Sequence, residues 1–460
     1  MNQPPGWPRH FDAEKAIAAQ PASARAQGRV GVVVVALLQP SQFDTVFYDN
    51  FISKLFAVAI PWPVNRLAAR DTGVALIDPA RPDEQREFAP ATLMTFDGRT
   101  VDWDGVPFAE KRRQGQVDWV PPSDRVAGDI GTFRYEGRSG GAAGPAQRAM
   151  LKARAIYYAR LPAGYLPQRD QTLAMVNGAF ATVAQHPAVR ASGVFDAFAP
   201  YDARRELYRV LDAGIDTLII ASALPIHSSF EEYRGAYPKL EKMVRDWAAE
   251  RGKPAPKLLF ATQMADMPGY AALWAAHVAA TVPPPSSPDA AATLVVSLHG
   301  LPISQLGRDG WASNSRRATA LLAPQLKAQM QALGWRRLTV EVAQEAFADA
   351  TDDPANKLLS VFEVFAASRA RGDALVVAVP VEFLAENTDT LFLHAYLMFD
   401  GLPGFRRFEG PPADVDWDKP FVRSFAEGKT THMFIGAPGG AAQGSAAAVL
   451  ASTISARLPQ

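Results

Sequence analysis

Short runs of apolar, β-branched residues constrain the fold of this chain more than any other feature. Each run is apolar on both faces, as parallel strands are when helices cover both sides of their sheet. The runs lie at Val30 to Leu38, Asp216 to Leu224, Leu258 to Thr262, Thr293 to Leu298, Leu338 to Val342 and Ala374 to Val381. Helical patterns lie between them, at Ala203 to Ala213, Tyr237 to Arg251, Arg316 to Leu333 and Asn356 to Ala370. This alternation predicts an α/β fold built from right-handed βαβ units.

The runs form two groups, which are separated by the proline- and serine-rich stretch TVPPPSSPDAAAT. Such a stretch is typical of a linker between domains. We therefore predict two Rossmann-like lobes with parallel sheets flanked by helices, at residues 29–282 and 293–460, after an N-terminal extension at 1–28. Residues 71–144 show neither a clear helical nor a clear strand period, and they predict an insertion of irregular structure or short strands in the first lobe.

Composition limits the functions that are open to the chain. Its 460 residues include no cysteine, which excludes disulfides, thiolate zinc sites and cysteine-ligated iron–sulfur clusters. Lysine plus arginine equal aspartate plus glutamate, at 47 each, so no overall field favours nucleic acid as a partner. The N-terminus lacks an apolar h-region and no apolar run could span a bilayer. A cytoplasmic location is expected, with peripheral membrane contact left open.

Candidate ligands follow several of the predicted strands, where parallel sheets bind their ligands. His299 directly follows one strand of the second group, and the loop after another contains Glu386, Asp389 and His394. His227 follows a strand of the first group. An imidazole can bind a transition metal or accept a proton near neutral pH, and a carboxylate can also do either. The candidate metal ligands are therefore His299, Asp389, His227 and His394.

Each of these candidates also has a structural interpretation. His227 could form a hydrogen bond to Ser229 within its own loop, and His394 could pack on a helix face. Asp389 could cap the helix that begins in TDTLFLHAYLMF, since aspartate and threonine are common N-caps. Glu386 is expected to be solvated.

Two segments carry a resemblance to a known family. SLHGLPIS resembles the S-A-H-G-L-P segment that carries the catalytic histidine of ferrochelatases, and VAVPVEFLAENTDTLF resembles that family's strand, proline, apolar residues and S-D-H-I-E-T-L-Y-E. The opening RVGVVVVALLQPSQFDTVFYDNFISKLFAVAIPWP is similar to the family's first strand, proline turn and helix. On these matches the chain is identified as a divergent member of the ferrochelatase family, with chelatase-like lobes.

The resemblance implies insertion of ferrous iron into a porphyrin in haem biosynthesis, a lyase reaction that needs no organic cofactor. It implies a tetrapyrrole and a divalent metal ion as partners, with Fe²⁺ as a substrate. It assigns catalytic roles to His299 and to Asp389, which stands in the place of the family's glutamate. Contacts to the ring are expected from residues near the opening helix and the histidine motif, namely Phe43, Tyr48, Phe51, Leu301 and Pro302.

Two alternatives stay open. The family's N-L-G-G-P turn is here ALLQP, without either glycine, and Asp389 replaces glutamate. Both changes favour a non-catalytic tetrapyrrole- or metal-binding protein on the same fold. The additional His227 and His394 favour a chelatase for another metal, such as cobalt or nickel.

Overall fold

The structure is a computed structural model that describes the chain in several segments. These are residues 20–44, 47–48, 153–197, 200–227, 232, 236–299, 310–345, 358–399, 402–406 and 408–460, together with short strands between 74 and 135. Most of the predicted insertion at 71–144 lies outside the described residues, and so do Phe51, Leu301 and Pro302.

The described residues belong to two compact units. The smaller unit comprises the described parts of Gln39–Leu166 and Arg406–Val415, and the larger unit those of His10–Leu38, Pro167–Phe405 and Asp416–Gln460. The smaller unit contains antiparallel strands in the orders β2-β6-β5 and β3-β4. Their bounds are Val74–Leu76 (β2), Leu93–Met94 (β3), Thr100–Val101 (β4), Val117–Val120 (β5) and Thr132–Tyr135 (β6).

The first sheet of the larger unit is parallel, in the order β7-β1-β8-β9. Val32 and Val34 of its central strand β1 face one apolar cluster, whereas Val33 and Val35 face another. Burial on both faces explains the unbroken valine run. The strands are Val30–Ala36 (β1), Val189–Asp196 (β7), Thr217–Ser222 (β8) and Lys257–Phe260 (β9).

The second sheet has the order β12-β11-β10-β13-β15-β14 and is parallel except for the terminal pair β14 and β15. Its strand β10 is again covered on both faces, with Leu294 and Val296 in one apolar cluster and Val295 in another. The strands are Ala291–Leu298 (β10), Arg337–Gln344 (β11), Leu359–Ser360 (β12), Leu375–Pro380 (β13), Arg423–Glu427 (β14) and Thr430–Phe434 (β15).

In the described part of the larger unit, eight α-helices flank the two sheets. They are Gln168–Val183 (α1), Pro200–Asp212 (α2), Tyr237–Arg251 (α3), Pro268–Thr281 (α4), Gly310–Ala332 (α5), Val361–Arg371 (α6), His394–Phe399 (α7) and Gln443–Ser455 (α8). The last helix packs closely on α1, because a Cβ at Gly178 would lie 2.9 Å from the Cβ of Ala447. Among the described helices, none combines the length and apolar character needed to span a bilayer.

The predicted fold class, α/β with parallel sheets flanked by helices, is confirmed. All six predicted runs contain a strand, but β7 and the β14–β15 hairpin were not predicted. In β7 and β14 buried residues are interspersed with partly or fully exposed ones, so neither has a continuous apolar run. The predicted lobe boundaries stay a prediction.

The start of α6 illustrates how a local signal sets a helix boundary. The amide of Glu363 donates to Oγ of Ser360 at 3.2 Å, and the amide of Ser360 donates to Oε2 of Glu363 at 2.7 Å. This reciprocal pair is a capping box, which satisfies two amides that the helix itself cannot. The helix therefore begins at Val361 and not at the predicted Asn356.

Removing this cap should weaken α6 locally. Ser360→Ala is expected to lower the opening free energy of the first turn by about 1 kcal/mol, a factor of about five in amide exchange rate. Hydrogen exchange at the amides of Val364 and Phe365 measures this. Ser452→Ala, which removes an exposed hydroxyl from the interior of α8, is the control and should leave these rates unchanged. Equal rates in Ser360→Ala and the wild type would contradict the prediction.

Candidate metal centre

Three adjacent parallel strands place polar side chains at one edge of the second sheet. Strand β10 lies between β11 and β13, and all three run in the same direction. Their carboxyl ends therefore meet, and the residues that follow them are His299 after β10, Glu345 after β11 and Glu382 two residues after β13. This is the edge at which parallel sheets bind ligands.

Two imidazoles and one carboxylate converge there. In the part of the chain that the structure describes, His299, Glu345 and His394 form a group whose ligand atoms all lie within 4.8 Å of one another. Glu345 and His394 are buried, whereas His299 is partly exposed. Because bonds from a zinc-sized ion to nitrogen or oxygen are about 2 Å long, ligand atoms on one ion lie roughly 3–4 Å apart. The three side chains are close enough to share one ion after small rotations.

The contact between His394 and Glu345 has an unusual geometry. Nε2 of His394 lies 2.6 Å from Oε2 of Glu345, yet neither atom makes a hydrogen bond of normal geometry with any described residue. Buried polar atoms are nearly always hydrogen-bonded. A proton held between the two atoms, or a metal ion that replaces it, would satisfy both of them.

A hydroxyl orients the carboxylate of Glu345. Oγ of Ser297, on β10, donates a short hydrogen bond to Oε1 of Glu345, and both side chains are buried. The backbone of Glu345 is fixed as well, since its amide donates to the carbonyl of Leu298 at 2.8 Å. One carboxylate oxygen is therefore occupied, and Oε2 is left to face His394. Such contacts behind a ligand commonly set its orientation.

A π-helical turn presents His394 and Asp389. The turn spans Asp389–Leu393, and His394 follows it as the first residue of α7. The predicted capping role of Asp389 belongs instead to Asn387, whose Oδ1 accepts from the amides of Asp389 at 2.8 Å and Thr390 at 3.2 Å. Asp389 is itself buried. π-helical turns are rare and occur frequently at functional sites.

Carboxylates shape the electrostatics of this edge. Burial lowers the pKa of His299, and the charge of Asp389 opposes that shift. Burial also acts to lower the pKa of His394, but the charge of Glu345 and the close side-chain contact with it, together with the charges of Asp389 and Glu382, outweigh burial and raise that pKa above its ordinary value. Asp389 is thus near both imidazoles, although it is not one of the three converging ligands. The same negative field favours a divalent cation.

The expectation that Glu386 is solvated is wrong. Its side chain is buried, with Oε2 accepting from Oγ1 of Thr390 at 2.6 Å and Oε1 accepting from the amide of Ala437 at 3.0 Å. The amide of Glu386 donates to Oε1 of Gln171 on α1 at 3.0 Å. Glu386 therefore ties the site loop to α1 and to the segment after β15. Burial raises its pKa to about 7.

His227 lies outside the converging group. Its amide donates to Oε1 of Gln263 at 3.2 Å, its carbonyl accepts from Nδ2 of Asn314 at 2.9 Å, and its ring stands edge-on to Tyr237. Burial lowers its pKa to about 4. These contacts favour a structural role, and the predicted partner Ser229 lies outside the described residues.

The predicted ring contacts Phe43 and Tyr48 belong to the smaller unit. Their rings are stacked with centroids 5.7 Å apart, and the hydroxyl of Tyr48 lies 3.0 Å from that of Tyr158. A wall role for Phe43, Tyr48, Phe51, Leu301 and Pro302 stays a prediction. Among the described residues, Phe383 contacts the converging group, with centroids 5.8 Å from His299 and 5.4 Å from His394, and Phe434 stands edge-on to His394 at 5.9 Å.

Glu345 was missed in the sequence. A usable signal was present, because Glu345 lies three residues after the predicted strand Leu338 to Val342, which pairs with the strand before His299. Recognising it required the strand order, which no local pattern contains. The structure thus brings together the predicted ligands His299 and His394 with one that was not predicted.

No protein-family model and no curated protein matches the sequence. Among solved structures, a multi-domain protein of Deinococcus radiodurans, described as structurally similar to chelatases with two additional novel domains, matches at 13% identity and a TM-score of 0.34. The match covers 63% of this chain and 52% of that one, so the chain spans about half the length of the Deinococcus protein. The arabinose-binding protein AraP of Geobacillus stearothermophilus matches at 13% identity and a TM-score of 0.21, covering 46% and 61% of the two chains. These likenesses are too distant to assign a function.

The buried Glu386 should make folding stability depend on pH. Its pKa is about 7 in the folded state against an ordinary 4.5, so its contribution to stability is fully present below pH 4.5 and lost as the pH rises through about 7. Relative to the wild type, Glu386→Gln is expected to gain stability between pH 5 and pH 8, on the order of 3 kcal/mol. Urea unfolding of both proteins at the two pH values measures this difference.

Asp416→Asn is the matched control for this experiment. Asp416 is exposed, and its hydrogen bond to Lys419 lowers its pKa, so it stays ionised across the same range. Its stability difference from the wild type should be flat between pH 5 and pH 8. A flat difference for Glu386→Gln would mean that Glu386 is ionised in the folded protein throughout this range.

Proposed function

We propose that the chain binds a divalent transition-metal ion through His299, Glu345 and His394 and transfers it to a tetrapyrrole, as a metal chelatase. The convergence of two imidazoles and one carboxylate within 4.8 Å carries this proposal. The site lies at the carboxyl edge of a parallel sheet, where such folds bind their ligands. The ring as recipient is supported by the SLHGLP segment, which contains His299.

The donor set favours some metals over others. Two nitrogen donors and one oxygen donor suit iron, cobalt, nickel and zinc, whereas magnesium and calcium prefer oxygen alone. Cysteine is absent from the sequence, so no thiolate competes for the ion. Ferrous iron, which the ferrochelatase resemblance implies, fits this set, and the finer proposal is insertion of Fe²⁺ into a porphyrin in haem biosynthesis.

The side chains at the site suggest a division of labour. His299 is partly exposed and is the ligand from which an ion can pass to a bound ring. Glu345 and His394 are buried and hold the ion from the protein side. Metallation releases two protons from the pyrrole nitrogens. Asp389, whose charge acts on both imidazoles, is suited to accept one of them, and His299 can accept the other once the ion has passed to the ring.

A second candidate function is metal binding without transfer. Two of the three ligands are buried, which favours slow release of a bound ion. This agrees with the non-catalytic alternative that the sequence left open. Turnover separates the two candidates, since a chelatase metallates many rings per protein and a binding protein does not.

Loss of either imidazole should remove metal binding. His299→Ala and His394→Ala are each expected to weaken Co²⁺ binding by at least about 100-fold, measured by calorimetry and by visible absorption of the bound ion. His186→Ala is the control. His186 lies before the amino end of β7 in the first sheet, whereas the proposed site lies at the carboxyl edge of the second sheet. This control variant should bind Co²⁺ like the wild type. Unchanged binding in His394→Ala would contradict the proposed site.

Asp389 should matter for transfer more than for binding. Asp389→Asn keeps the size of the side chain but removes its charge, so Co²⁺ binding should fall by no more than about tenfold while metallation is lost. Anaerobic incubation with Fe²⁺ and protoporphyrin or coproporphyrin measures turnover by the absorbance change to the metalloporphyrin. Full turnover in Asp389→Asn would remove Asp389 from the mechanism. Binding without turnover in the wild type would support the second candidate function.

A further inference from the structure

The hydrogen-bond ladder between β10 and β13 ends in an irregular step beside His299. The last regular bond runs from the amide of Val381 to the carbonyl of Ser297, at 3.2 Å. In a parallel ladder the next bond would run from the amide of His299 to the carbonyl of Val381. That carbonyl instead accepts a short hydrogen bond from the hydroxyl of Tyr270 on α4.

A side chain takes the place of the missing ladder bond. The amide of His299 donates a short hydrogen bond to Oε2 of Glu382, the residue after Val381. On the other side of β10, the ladder to β11 continues regularly, with the amide of Glu345 bonded to the carbonyl of Leu298 at 2.8 Å. The backbone of His299 is thus held from the β13 side by the Glu382 carboxylate.

This contact acts on the most exposed of the three converging ligands. His299 follows the last residue of β10 and is partly exposed, so it lacks the burial that fixes Glu345 and His394. Glu382 itself is half-buried and does not belong to the converging group. A residue with this position and this bond can set where the His299 ring stands without being one of the converging ligands.

We propose that Glu382 is a positioning residue. It holds the backbone amide of His299 and thereby places the His299 imidazole in the metal site, an inference that rests on the proposed function. Contacts of this kind behind a ligand typically change metal affinity by 10- to 100-fold. Glu382 has two properties that variants can test separately, namely its hydrogen-bond acceptor and its negative charge.

Two variants of the full-length protein separate these properties. Glu382→Ala removes both, and Co²⁺ affinity should fall about 10- to 100-fold. Glu382→Gln keeps an acceptor for the amide of His299 but removes the charge, and it should restore most of the lost affinity. If Glu382→Gln binds as weakly as Glu382→Ala, the charge matters and the positioning role is overturned. Wild-type affinity in Glu382→Ala overturns it as well.

A double-mutant cycle provides a readout that a general structural role would not change. In the His299→Ala background, Glu382→Ala should cause no further loss of Co²⁺ affinity, because the ligand that it positions is gone. An equal loss in both backgrounds would overturn the proposal. If Glu382→Ala does not fold, Glu382→Asp replaces it. Its side chain is shorter by about 1.5 Å and should also weaken Co²⁺ binding. Unchanged Co²⁺ affinity in Glu382→Asp would then contradict the positioning role of Glu382.

The wild-type measurement distinguishes the two proposals. Absence of Co²⁺ binding by the wild type would overturn the proposed function, and the role of Glu382 with it. Binding by the wild type with equal affinity in all Glu382 variants would overturn the role of Glu382 alone.

Discussion

The parallel pairing of β10 with β11 and β13 is the constraint on which the site depends. Pairing in register brings the ends of three strands to one edge, although His299, Glu345 and Glu382 lie far apart in sequence. Apolar clusters on both faces constrain that register, because a slip of one residue would exchange the side chains of β10 between the two clusters and disrupt their packing. The convergence of His299, Glu345 and His394 is therefore a consequence of how the core packs.

Burial on both faces also explains how much of the fold the sequence could predict. Central strands such as β1 and β10 are buried along almost their whole length, so they appear as continuous apolar runs. The edge strand β14 alternates buried and exposed residues, and its pattern merges with that of the surrounding loops. Strand order and pairing depend on contacts between distant segments, so they could not be predicted from periodicity.

The same limit applies to the site. His299 could be found because it follows a predicted strand and belongs to a recognisable segment, and His394 because it lies in the next candidate loop. Glu345 became a candidate only when β11 was placed beside β10. The expectation for Glu386 was wrong because hydropathy alone cannot show that Thr390 and the amide of Ala437 satisfy a buried carboxyl. Polar groups are buried where such partners exist, and the partners are set by tertiary structure.

The distribution of charge connects the geometry of the site with its chemistry. Burial on its own would favour a neutral His394, but Glu345 and Asp389, with a smaller contribution from Glu382, produce a field that favours positive charge there. Such a field attracts any divalent cation, including hard ions such as magnesium. The two imidazoles restrict the choice, because nitrogen donors favour the later transition metals. Under the proposed function, the carboxylates would supply attraction and the histidines selectivity, and an ion that satisfies both is one that a nitrogen-rich ring can also accept.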